Sequence, residues 1–286
     1  MHPELIVKKM PEMSHPVLIM GFEGWANGGN VAVGMIDYFI KKFGATRFAE
    51  IGPDKFYRFD DVRPTVRVKD GLLNAVIPVE TGFFAAYKEE AGIDLLLFKA
   101  HEPHCRWFSF GEAVLSVCQE LGVELIISLG GLQDSVVHTD AVISGFASSP
   151  ELLERLKENQ VTPTDYEGPG AIHSLIFQQA EAKGIEGISL WGHCPFYLQG
   201  THLRLLCRMA TVLANLAGFE VDTSELEKGW TQLARSIQRF IDGNPDLQKA
   251  IKEIMKSKTE PAGELRRPRR TEDNVIYLDD FFKPKV

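Results

Sequence analysis

A doubly wound α/β domain is the fold class that this chain predicts, and three features predict it. Short apolar runs alternate repeatedly with segments of helical period. An early apolar run, Val17 to Met20, breaks into a glycine-rich turn and then enters a helix. The alternation stops after Gly218, where helical segments follow with no strand between them. The expected architecture is a mostly parallel sheet flanked by helices, with a small C-terminal helical element.

Taken in order, Leu5 to Val7 reads as a short edge strand, and Pro11 and Pro16 frame the loop after it. Val17 to Met20 is the first buried strand. A helix from about Asn27 to Phe43 stops near Gly44, a usual terminator. Arg47 to Ile51 is the next strand. Thr65–Lys69 and Leu72–Val79 flank Asp70-Gly71, a strong hairpin signal, and this antiparallel unit of residues 65–79 is expected to insert beside the main sheet. Ile93 to Phe98 is a strand, and the helix from Trp107 to Leu121 places Phe110, Val114, Val117 and Leu121 on one face. Val123 to Leu129 is a strand ending in Gly130-Gly131, and Ala141 to Ala147 a weaker one. Ser149-Pro150-Glu151 opens a helix, with serine as cap and proline in the first turn. Tyr166-Glu-Gly-Pro-Gly170 precedes a helix over Ala171–Lys183, Gly187 to His193 is the last sheet strand, and Thr201 to Leu216 is helical. Helices opened by Asp222-Thr-Ser-Glu225 and by Asn244-Pro-Asp246 follow. The segments are therefore a core over 1–218, a helical element over 219–258, and a charged linker and tail over 259–286. In the tail, Arg266-Arg-Pro-Arg-Arg270 reads as solvated. Val275-Ile-Tyr-Leu278 and Phe281-Phe282 read either as an ordered strap, docked on this or another subunit, or as disorder.

Composition narrows the function. At 286 residues and 44% hydrophobic the chain buries a substantial core. A net charge of −8 argues against general nucleic-acid binding. Four cysteines without a C-x-x-C pair read as reduced thiols. The Met1–Lys8 start has no signal-peptide pattern, and no apolar stretch approaches a membrane span, so a cytoplasmic location without membrane contact is expected.

Several polar groups follow the strands: Glu23, Trp25 and Asn27 after the first, His101 and Glu102 after another, then Gly130 with Gly131, and His193. In a parallel sheet these converge on the carboxyl edge, where such folds bind ligands. Glu23 and His193 are the candidate acid–base pair. Trp25, Asn27, His101, Glu102, Gly130, Gly131 and His138 are candidates to line the cleft. Gly28, Gly29, Gly168 and Gly170 precede helices. They either bind an anion through backbone amides or let helix and sheet approach closely. Their spacing fits neither a P-loop nor a dinucleotide fingerprint. His101-Glu-Pro-His104 has no zinc spacing, so no metal is expected. Ser135, His138 and Asp140 read as a structural loop lacking a nucleophile elbow. Cys194 is set against pairing with His193 because strand neighbours face opposite ways. No cofactor is expected.

Five segments recur in a recognisable order. They are Gly21-Phe-Glu-Gly-Trp-Ala-Asn-Gly-Gly29; Glu102-Pro103 with Trp107; Ser128-Leu-Gly-Gly-Leu132 with Val137-His-Thr139; Tyr166-Glu-Gly-Pro-Gly170; and Leu190-Trp-Gly-His-Cys-Pro195. Together, over roughly Val17 to Ile241, they resemble the bacterial and archaeal branch of the proteasome assembly chaperone 2 family. The resemblance implies a Rossmann-like, phosphorylase-like core, a homo-oligomer such as a trimer, and action through protein partners. It carries over no catalytic residues. Archaeal relatives that dock on proteasome rings use a C-terminal hydrophobic-tyrosine-any motif, whereas this chain ends Phe282-Lys-Pro-Lys-Val286, so docking by that route is not expected. Two readings stand. One is an assembly-type protein working through its surfaces. The other is a small-molecule binder or enzyme, phosphorylase-, hydrolase- or ATP-grasp-ligase-like, using the strand-end cleft.

Overall fold

The computed structural model describes residues 1–88, 93–257 and 275–278. The expectations for Arg266–Arg270, Phe281-Phe282 and the C-terminal ending lie outside the described residues. In chain order the elements of the first half are β1 (Leu5–Val7), β2 (Val17–Glu23), α1 (Val31–Phe43), β3 (Thr46–Ile51), β4 (Thr65–Lys69), β5 (Leu72–Ile77), β6 (Thr81–Lys88), β7 (Ile93–His101) and α2 (Trp107–Leu121). They continue with β8 (Leu125–Asp134), β9 (Ile143–Ala147), α3 (Pro150–Glu158), β10 (Thr162–Pro163), α4 (Ile172–Glu181), β11 (Glu186–Pro195), β12 (Leu198–Gln199) and α5 (Leu203–Ala217). Last come α6 (Ser224–Asp242), α7 (Pro245–Ser257) and β13 (Ile276–Tyr277).

Among the described residues the main sheet has nine strands in the order β1-β3-β6-β7-β2-β8-β11-β9-β10. Its centre, β7-β2-β8-β11, is parallel throughout. The flanks turn antiparallel, through β6, β3 and β1 on one side and β9 on the other. The central strands read as unbroken apolar runs because both faces are covered. One face carries α1, α3 and α5 over Ile19, Ile127, Leu129 and Ile188. The other carries α2 and α4 over Leu18, Met20, Phe98 and Ile126.

The helices obey the spacing that announced them. In α1, Val31, Met35, Ile36, Phe39 and Phe43 are buried, and Gly44 takes a left-handed φ of 66° to end the helix. In α2, Phe110, Val114 and Val117 are buried. Ser149 Oγ accepts from Leu152 N as the cap of α3. Beyond Gly218, α6 and α7 bury Leu226, Leu233, Ile237, Leu247, Ile251 and Ile254. Most of these join Tyr197 and Leu198 in a third apolar cluster. The apolar tail segment completes that cluster. β13 pairs in parallel with β12, Ile276 N donates to Tyr197 O at 2.7 Å, and Ile276 and Leu278 are buried. The strap therefore docks on its own chain.

Three departures from expectation have physical causes. β6 is a full strand between β3 and β7, hidden in the sequence because Gly82, Ala85 and Ala86 interrupt its alternation. β8 does not end at Gly130-Gly131 but runs through them to Asp134, with Gly130 registered on Trp191 and Gly131 on Gly192. β11 likewise runs past His193 to Pro195. Residues expected in loops thus sit on strands, where alternation and not mere proximity decides which groups meet. The β4–β5 hairpin forms as expected and makes a separate two-stranded sheet.

Gly131→Ala is expected to destabilise the fold by about 1–3 kcal/mol, because an added Cβ would lie 2.0 Å from Gly28 O. Gly170→Ala, whose Cβ meets nothing closer than Ser174 at 3.8 Å, is expected to be near neutral. Urea midpoints of the two variants check the contrast.

Candidate functional site

The turn after β2 is shaped by close backbone contact. Asn27 bridges Gly131 in parallel, and Gly131 N donates to Ala26 O at 2.7 Å. A Cβ on Gly28 would fall 2.8 Å from Gly131 O. One on Gly29, whose φ is +61°, would fall 2.2 Å from Cys194 Sγ. Only glycine lets the turn lie this close to β8 and β11. The start of α1 is also filled. Asn27 Oδ1 accepts from Ala32 N at 3.0 Å and from Val33 N at 3.2 Å, and Asn27 Nδ2 donates to Glu23 Oε2 at 2.8 Å. The amides that would grip an anion are held by the chain's own amide oxygen.

The second glycine loop has the same arrangement. Glu102 N donates to Glu23 O at 2.8 Å, tying the end of β7 to that of β2. Its side chain reaches α4, where Oε1 accepts from Ile172 N at 2.9 Å. The carboxylate occupies the positive end of that helix. Gly168 and Gly170 lie in an exposed loop, in which Tyr166 Oη donates to Pro169 O at 3.0 Å.

His193 joins three strands. Its Nδ1 lies 2.8 Å from Asp134 Oδ2 on β8, and its Nε2 lies 2.8 Å from Ser144 Oγ on β9. With the proton held on Nδ1 by the carboxylate, Nε2 accepts from the serine hydroxyl. The chemical sequence is that of an acyl-transfer triad. The exposure runs the other way. Asp134 is outermost at 41% and Ser144 innermost at 9%, so the group that would have to meet a substrate is the one shut in. The row works as a clasp that pins the antiparallel β9 to the parallel centre. Cys194 points to the opposite face, against the glycine turn, where burial pushes its thiol up to about 12.

The remaining candidates scatter. His101 packs edge-on against Tyr57, whose hydroxyl donates to the His101 carbonyl at 2.5 Å, and beside His104. Trp25 is 63% exposed and meets Trp191 edge-on at 6.4 Å. Trp191 in turn lies flat against Gly130, whose Cβ would stand 2.7 Å from the indole. His138 is buried beneath α6, 2.9 Å from Tyr197 Oη by its Nδ1 and facing the Trp230 ring. In its loop, Asp140 Oδ2 accepts from Val137 N at 2.9 Å, the turn role read from the sequence.

The groups expected at one cleft are therefore divided among three hydrogen-bond systems, the first joining Asn27, Glu23 and Glu102. Glu23 and Asn27 serve α1, Glu102 serves α4, His193 serves β9, and His138 serves the C-terminal helices. Among the described residues no group of three or more His, Cys, Asp or Glu side chains is placed to hold a metal ion, and no helix is long and apolar enough to cross a membrane.

Sequence reasoning missed Asp134, Ser144, His173 and His202. His173 packs between Phe22 and Trp191 with both ring nitrogens buried and unpartnered. His202 caps α5, accepting from Leu205 N at 3.2 Å, and stacks on Trp230. Burial pushes both imidazoles down to about 4 and lowers His138 as well. His202 left no usable signal, since histidine is not among the usual helix caps. For the Asp134–His193–Ser144 row there was none, because the partners lie 59 and 49 residues apart.

The fold is shared with known proteins. The model of the PAC2 family matches residues 21–241. An uncharacterized protein of Methanocaldococcus jannaschii is 25% identical over 245 residues, covering 82% of this chain and 87% of that one. The crystal structure of a PAC2 family protein from Streptomyces avermitilis superposes with a TM-score of 0.73 at 28% identity, covering 84% of this chain and 99% of that one. The proteasome-assembly chaperone homologue of Mycobacterium tuberculosis shares the fold, with a TM-score of 0.74 at 23% identity over 82% of this chain and 99% of its own.

Asn27→Ala is expected to cost about 1–2 kcal/mol, the range of a lost helix cap, measured by chemical denaturation. A second expectation concerns acid. His138, His173 and His202 are held neutral in the fold, while unfolded histidines protonate near 6.5. For His173 and His202 the stabilising contribution is therefore full above pH 6.5 and is lost as pH falls from there toward about 4, and His138 acts in the same direction. His173→Phe, which sacrifices no hydrogen bond, is expected to flatten part of that decline when urea midpoints are compared between pH 8 and pH 4.

Proposed function

Because the chain belongs to the PAC2 family, we propose that it works by binding other proteins, further copies of itself included, rather than by turning over a small molecule. It is a proteasome-assembly-chaperone-like protein, and the reading assigns it an assembly role as a homo-oligomer, a trimer being the form the family resemblance implies. One observation carries the proposal. Two of the helix N-termini at the carboxyl edge, those of α1 and α4, where such a fold can hold a phosphate or carboxylate, are filled by Asn27 Oδ1 and Glu102 Oε1. The edge is used to bind the protein to itself.

Free thiols at Cys105, Cys118, Cys194 and Cys207 support a cytoplasmic setting. The acidic net charge of −8 supports protein rather than nucleic-acid partners. No cofactor enters the reading.

Light scattering is expected to return a mass that is a multiple of the 32.0 kDa chain. A thermal-shift series with nucleotides, nucleosides and orthophosphate at millimolar concentration is expected to leave the melting temperature unchanged. A saturable rise with any of them, abolished by Glu23→Gln or His193→Ala, would sink the proposal and return the cleft to a small-molecule role.

A further inference from the structure

The sheet has a second edge of interest, opposite the carboxyl ends. β3 is antiparallel to β6 and β6 to β7, so β3 starts at the amino ends of the parallel strands. There the outermost strand stops short. β1 registers Leu5, Ile6 and Val7 on Ile51, Glu50 and Ala49, and Lys8 N donates to Phe48 O at 2.8 Å. The pairing ends before Arg47 and Thr46, the first residues of β3. The chain then leaves the ladder through Pro11, which has no N–H to give. It reaches β7, where Ser14 N and His15 N donate to Asp94 Oδ2 at 2.8 and 2.9 Å. Between this crossing segment and the start of β3 lies a cavity of about 440 Å³, within the roughly 300–1,000 Å³ of ligand pockets.

The lining is cationic and apolar. Lys8, Lys9 and Arg47 face a single carboxylate, that of Glu12, while Met10 and Phe48 supply apolar wall. Arg47 is held in place. Gly82 leaves room for it, since a Cβ there would stand 3.0 Å from Arg47 Nε, and Glu50 takes one of its terminal nitrogens at 2.6 Å. A guanidinium carries further N–H donors, so that one ion pair does not exhaust it. Lys8 and Lys9 are exposed and form no ion pair among the described residues. On a chain of net charge −8 this is a local concentration of positive charge.

We propose that the cavity binds an extended, carboxylate-bearing segment of a partner protein, laid along the uncovered start of β3. The inference rests on the protein-binding reading given above and names the chemistry of the partner.

Two features select such a segment over a free anion. Strand addition at a sheet edge draws affinity from main-chain hydrogen bonds and specificity from pockets for alternate side chains. Thr46 and Arg47 supply the edge and the cavity supplies the pocket. The wall of Met10 and Phe48 suits the aliphatic parts of a peptide, whereas a small anion would leave it uncovered. The three cations then choose acidic side chains over basic ones, because like charges placed together cost affinity.

Fluorescence anisotropy with the full chain tests the proposal, the probe being a labelled peptide Thr-Val-Glu-Val-Glu-Val-Thr. Saturable binding is expected, weakened by added salt, and about tenfold or more weaker when glutamine replaces both glutamates. The Lys8→Glu, Lys9→Glu double variant should show the same loss with an unchanged circular dichroism spectrum. Lys249→Glu, Lys252→Glu, an equal change of charge at exposed positions of α7, should bind as the wild type does. Equal affinity for the two peptides, an equal loss in both double variants, or no binding at all overturns this site. None of these outcomes alters the light-scattering mass or the thermal-shift series on which the protein-binding reading stands. A rise in melting temperature with orthophosphate that disappears in Lys8→Glu, Lys9→Glu also overturns the proposal and assigns the cavity to a free anion.

Discussion

The contact between Gly28 and Gly131 is the constraint on which the rest of the molecule depends. Gly28 lies in the turn after β2 and Gly131 within β8, and their backbones approach so closely that neither position has room for a Cβ. The approach lets Gly131 N reach Ala26 O and sets Asn27 where its side chain can cap α1. From Asn27 a polar chain leads to Glu23, then through the Glu23 carbonyl to Glu102, and through the Glu102 carboxylate to α4. Helices on opposite faces of the sheet are thereby fastened to one edge. A methyl group at the crossing would loosen every link in that chain.

Such an edge ordinarily faces a ligand because strand ends leave amide groups and helix dipoles unanswered. In this protein two of them, at α1 and α4, are answered from within. Asn27 supplies an oxygen to one helix and Glu102 a carboxylate to the other. His193, the group best placed for proton transfer, is committed to Asp134 and Ser144. The inverted exposure of that row separates a structural clasp from a catalytic relay with the same chemical order.

The surfaces left unspent lie elsewhere. A cavity lined by Lys8, Lys9 and Arg47 lies at the amino edge of the sheet, while α6, α7 and the returning strap close around Tyr197 and Ile276. His138 and His202 sit beneath that closure beside Trp230, so the C-terminal element is coupled to the core through groups that are neutral when buried.

Local pattern alone determined the α/β class, the course of α1 and α2, the Asp70-Gly71 hairpin and the helical end, because periodicity, caps and turn residues act over a few neighbours. It also marked Gly28 as a place where either an anion binds or helix and sheet come close, and Gly131 only as a lining of the cleft, without bringing the two together. Tertiary structure decided the remainder. β6 became a strand because β3 and β7 offered it hydrogen bonds on both sides, although its own alternation was broken. Glu23, Glu102, His138 and His193 followed strands in the sequence and looked convergent. Strand extension and pleat then assigned them to different faces and partners, a matter of register between residues far apart in the chain, which no local pattern encodes.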